Sequence, residues 1–215
     1  MRIEQWRWSV NRGWDPGAPS GIGSAASLAL VFGTMGGLRD RAALDELRWA
    51  HPGVPVFGCS TSSEPSPGSQ SLAASIIRFD HSEARLARAR VAGIEDSHAA
   101  GLRLALALPS WGLSHVLVLF DGLHVDGAAL VRGLTAALPS GAAIIGAPSW
   151  DRERPGETLV VGGGAAESGI AAAVGLYGKQ IRVQRGSAAF PFEIEERPAT
   201  AVAEPDNDVL RAAAV

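Results

Sequence analysis

Two stretches of the chain follow one hydrophobic pattern. The first is the apolar run LALVFG (28–33), an amphipathic segment LRDRAALDELRWAHP (38–52) and a second apolar run VPVFGCS (54–60). The second is HVLVLFDG (115–122), VDGAALVRGLTAALP (125–139) and AAIIGAPS (142–149). Short continuous apolar runs bounded by glycine describe strands covered on both faces. A helix between two such strands predicts a parallel pair with a right-handed crossover. Gly33 and Asp121 close the leading runs, Gly58 and Gly146 the returning ones, and both pairs are 88 positions apart. Two further strand-like runs follow each return: SLAASIIRFD and ARLARARVAGI, then ETLVVGG and SGIAAAVGLYG. The pattern predicts an α/β fold of two pseudo-repeated β-α-β-β-β units, 28–94 and 115–186, with mixed parallel and antiparallel sheets in one domain.

Finer expectations follow from local chemistry. Residues 39–50 place Ala42, Leu44, Leu47 and Trp49 near one stripe, with Asp40 at the helix start, where its charge suits the dipole. His81-Ser-Glu reads as the turn of an antiparallel pair, and Asp96 or Ser97 as the cap of a helix reaching about Leu108. GGGAAESG (162–169) and Gly178-Lys-Gln read as hairpin turns. Residues 1–24 read as a strand and loop, 25–187 as the domain, and 188–215 as a tail or linker outside the packed fold.

Composition narrows the function classes. The 215 residues are 47% hydrophobic and 19% charged, with a net charge of −3 and a pI near 5.9. That balance supplies no basic face for nucleic acid. Apolar stretches are too short for a membrane span, and MRIEQWRWSVNRGW lacks a leader's apolar run, so the expected compartment is the cytoplasm. A single cysteine, Cys59, excludes an internal disulfide and reads as a small buried hydrophobe. Gly58-Cys-Ser60-Thr-Ser62 lacks the last glycine of a nucleophile elbow, and Met35 breaks a dinucleotide loop at 33–37. No enzyme reaction is named by these residues.

Candidate ligand contacts lie where buried strands end, because α/β sheets gather their sites there. They are Ser60 and Thr61 with Glu64 in one loop, Asp121 after the other leading strand, and Trp150 and Asp151 after its return. Asp121 serves either a ligand ammonium or the cap of the following helix. Asp121, His124 and Asp126 share neither a helix face nor a known loop spacing, so no metal site is expected. His51, His81, His98, His115 and His124 are the histidine candidates for a haem ligand; His51 and His81 read as solvated, and His124 comes first.

A family resemblance rests on particular runs: Gly58-Cys-Ser-Thr61-x-x-Glu64; Leu113 through Leu123 with its Phe120-Asp-Gly; the helix from Gly127 to Leu134; Ala172-Ala-Val-Gly-Leu-Tyr-Gly178; and Val183-x-x-Gly-Ser187. Together they resemble the FIST N-terminal sensory domain over roughly residues 25–187, without the C-terminal half that usually follows it. The resemblance implies an intracellular module that senses a small molecule such as an amino acid and is coupled to signal transduction. One branch implies a haem-bound nitric-oxide sensor acting on a histidine kinase. A further reading is a degenerate interaction module without ligand. The family's Gly-Gly-x-Ala-Gly-Asp segment stands here as Gly146-Ala-Pro-Ser-Trp150-Asp151, with an indole in place of a small residue.

Overall fold

The computed structural model describes residues 1–17, 21–22, 25–61, 71–149, 156–186 and 191–197. In chain order the elements are β1 (Arg2–Ser9), β2 (Gly13–Asp15), β3 (Leu28–Gly33), α1 (Met35–Arg39), α2 (Arg41–Ala50), β4 (Val56–Ser60), β5 (Ser71–Arg78) and β6 (Glu83–Arg90). Then come α3 (Ser97–Ala107), β7 (Leu113–Asp121), α4 (Gly127–Ala137), β8 (Ala143–Ser149), β9 (Val160–Gly162), β10 (Ala166–Glu167), β11 (Ile170–Tyr177), β12 (Ile181–Arg185) and β13 (Phe192–Glu196). The fold is mixed α/β, with both parallel and antiparallel pairs.

Alternation along the central strands dictates the layers, because successive strand side chains face opposite ways. Leu28, Leu30 and Phe32 of β3 meet Leu117 and Leu119 of β7 and Ala172 and Val174 of β11 in a core between two sheets. Ala29 and Val31 face the other way, onto Leu38, Leu44 and Leu47 of the first helical layer. Val116, Val118, Ala171 and Ala173 face Leu104 of α3 and Leu130 and Leu134 of α4. The result is four layers, helix–sheet–sheet–helix, with central strands apolar on both faces.

Both leading strands pair in parallel with their returns, β3 with β4 and β7 with β8, across a helix. Beyond that the pairing differs from the sequence expectation. One sheet runs β10-β9-β4-β3-β5-β1-β2 and the other β6-β11-β7-β8. The supposed β5–β6 hairpin therefore does not form: β5 pairs with β3 and β1, while β6 crosses to β11. β9 crosses the other way, onto β4. β5 is buried on both faces and needs a central place, whereas β6 exposes Glu83, Arg85, Arg88 and Arg90 and suits an edge. Four strands in each sheet follow a like order, β4-β3-β5-β1 and β8-β7-β11-β6.

Three further expectations are corrected. Residues 178–180 do not close a β11–β12 hairpin, because β12 pairs with β13 in a small separate sheet. The tail is packed at 192–196, where Phe192 and Ile194 enter the inter-sheet core and Phe192 stacks on Phe57 at 6.1 Å. The first helix is broken at Asp40, which caps α2 by accepting from Ala42 N at 3.0 Å. The buried stripe of α2 is Ala43, Leu44 and Leu47. Trp49, two residues and about 200° further round, is 88% exposed.

Candidate functional site

The C-terminal ends of the two parallel pairs converge. Ser60 ends β4 and Ser149 ends β8, and their hydroxyl oxygens lie 2.8 Å apart with both residues fully buried. The segment entering β9 closes the arrangement. Leu159 N donates to Ser60 Oγ at 3.1 Å, Ser60 N donates to Leu159 O at 2.9 Å, and Ser149 Oγ donates to Leu159 O at 3.0 Å. Buried hydroxyls and amides need partners, and each of these has one.

One residue back, Thr158 Oγ1 donates to Asp121 Oδ1 at 2.5 Å. Asp121 is wholly buried beside Ser149 in the β7–β8 ladder. Its Oδ1 also accepts from Leu123 N at 2.9 Å and His124 N at 3.3 Å; its Oδ2 accepts from Gly169 N at 2.6 Å and His124 Nδ1 at 2.8 Å. Burial pushes this carboxyl up, but the donors Gly169, Thr158, Leu123 and His124 together outweigh it and hold the group below its ordinary value. A carboxylate surrounded in this way is a structural tie. It caps the 121–124 turn, while α4 takes its cap from Asp126, which accepts from Ala128 N at 2.9 Å. Asp96 caps α3 by position without a side-chain cap bond; its carboxylate holds Arg103 and Ala92 N.

Of the residues singled out from sequence, Ser60 and Asp121 thus belong to one buried network linked through Thr158–Leu159. Thr61 adjoins it, half-buried, with its N–H donating to Gly33 O at 2.9 Å. Glu64, Trp150 and Asp151 lie outside the described residues. Ser149 and Thr158 were not singled out from sequence. The parallel registers Gly33–Ser60 and Asp121–Ser149 are the signal that matches Ser149 with Ser60.

His124 is the exposed member, with its side chain 55% accessible. Asp121 occupies Nδ1, which orients the ring and leaves Nε2 as the outward nitrogen. A carboxylate on the far ring nitrogen is how metal-ligating histidines are held, so the donor fits a haem iron. Among the described residues, a cavity of about 300 Å³ lies toward the other end of α4, lined by Val131, Thr135, Leu138 and Ile144 among others. His51, expected in solvent, is buried at the end of α2. Cys59 is buried in the inter-sheet core, and burial pushes its thiol up to about 12, far from a reactive thiolate at neutral pH.

Four layers with a polar tie at the joined strand ends define a small α/β domain whose loops leave both sheets from one place. The FIST N domain model matches residues 27–190, well over half of the chain, and the protein belongs to that family of sensory domains linked to signal transduction. No curated protein matches the chain. No described helix is long and apolar enough to cross a membrane.

Proposed function

We propose that this domain is an intracellular, cytoplasmic and non-catalytic sensor of a small amino-acid-like metabolite, coupled to a signalling protein such as a histidine kinase. One observation carries the reading: the Ser60–Ser149–Leu159 and Asp121–Thr158–Gly169 ties join the ends of both parallel pairs at a single buried network. Thr61 and His124 stand at its outer margin, where a ligand can reach them. The network's own groups are already satisfied, so their role is to hold the surface rigid and not to react. On this reading Glu64 and Asp151 receive the ammonium and Trp150 supplies a face for it. Because both sheets share the tie, a ligand that shifts one strand end also bears on the other.

The test is a thermal-shift and calorimetry screen of amino acids and related metabolites against the whole chain. A ligand at a hundred times its Kd stabilises by about 2.7 kcal/mol. The hit is expected to weaken at least tenfold in Thr61→Ala or His124→Ala, with the unliganded Tm little changed. No hit across the panel sinks the assignment and leaves an interaction module without ligand; a hit indifferent to both variants sinks the site at Thr61 and His124. The outward Nε2 of His124 favours haem as the second reading. Titration with hemin then yields a Soret band that His124→Ala abolishes; an unchanged band removes that role.

A further inference from the structure

Strand edges are left open only when they are guarded or used. The β6 edge carries Glu83, Arg85, Arg88 and Arg90, with Arg88 and Arg90 each 2.8 Å from Glu167, and charge of this kind discourages pairing. β2 and β10 are three and two residues long. β8 is different. Its seven residues AIIGAPS carry no charge and are mostly half-exposed, its one edge-blunting residue, Pro148, stands beside the C-terminal end and leaves 143–147 unguarded, and among the described residues only β7 pairs with it. The β12–β13 hairpin shares the inner core with Ile145 and Ala147 but does not join the β8 ladder. On the helix side, Ile144 faces Val131 and Thr135 across the shallow groove beside α4.

The molecule also shows what such an edge accepts. β4, the counterpart of β8 in strand order, receives β9 as an antiparallel partner, and β9 reads Val160-Val161-Gly162. β8 itself contains Ile144-Ile145-Gly146, likewise two β-branched residues followed by glycine. A second copy therefore offers β8 a strand of the type β4 takes, and antiparallel self-pairing brings no like charges together. We infer that β8 is a self-association edge: two copies pair β8 to β8 across a twofold axis, joining their β6-β11-β7-β8 sheets into one.

The experiment uses the whole chain, with sedimentation equilibrium and amide hydrogen exchange read over a range of protein concentrations. The expected result is an apparent mass that doubles as concentration rises, with exchange at 143–147 slowing in step. Val131→Glu and Ile144→Lys should each weaken the dimer by about tenfold or more, with the far-ultraviolet spectrum unchanged. If Ile144→Lys fails to fold, Val131→Glu, at a helix position 37% exposed, carries the same test. A mass of one chain at every concentration overturns the inference. With 143–147 protected, the edge is covered by the chain itself; unprotected, it is free. A dimer that ignores both variants also overturns it, since another surface then mediates association.

Discussion

Gly33 and Asp121 hold matching places: each ends the leading strand of a parallel pair, opposite Ser60 and Ser149 respectively. Around Gly33 the start of β5 is so close that any Cβ would overlap the Ser71 carbonyl oxygen. Around Asp121 the same ladder position opens onto N–H groups of Leu123, His124 and Gly169 and the Thr158 hydroxyl. The outer layers differ too. α3 and α4 cross closely through Gly101 and Gly133, where an added Cβ on either would overlap backbone of the other helix, whereas α2 leaves its far side in solvent. Equal rank in a ladder fixes where a residue stands. What the neighbouring segments present decides what it can do.

The largest break in this comparison is expected at Asp121. Asp121→Ala strands several buried donors and should cost about 3 kcal/mol in urea unfolding; a loss below about 1 kcal/mol would show that the network is not a tie. The pH dependence sharpens the point. The folded carboxyl lies below its ordinary 3.8, so its contribution is full above that value and lost as pH falls through the lower folded value. Asp121→Asn should reduce the acid slope without abolishing it, because Asp96 and Glu196 are lowered as well.

Next comes the helical layer. Gly133→Val should destabilise by about 2–3 kcal/mol by forcing α3 and α4 apart. Ala42→Val, on the exposed side of α2, should move stability by under about 0.5 kcal/mol. Equal effects in thermal melts would remove the contrast between the two outer layers. A smaller loss, about 1 kcal/mol, is expected for Ser149→Ala. In a double-mutant cycle with Ser60→Ala the two should be clearly non-additive; additivity would mean that the hydroxyls do not share a bond. The smallest effect belongs to Trp49→Ala, under about 0.5 kcal/mol, which calorimetry can check against the helical stripe expected from sequence.

Period and punctuation alone determined much of this protein. Runs such as LALVFG and HVLVLF, short and bounded by glycine, read as strands buried on both faces, each followed by a helix and a parallel return, and three of the family-like runs begin on those elements, at Gly58 in β4, Leu113 in β7 and Gly127 in α4. The tertiary structure decided which later strand joins which sheet. β5, β6, β9 and β11 all read as apolar or alternating segments, and their partners are set by long-range burial and edge charge, which local pattern does not encode. Phe192 and Ile194 show the same limit: a short alternating run inside a polar tail became core only because Phe57 and Ile181 were there to receive it. Sequence placed Ser60 and Asp121 at strand ends. Their union through Thr158, Leu159 and Ser149 required the two sheets to pack, since hydrogen bonds between residues 89 and 99 positions apart depend on where the chain returns and not on what surrounds each residue along it.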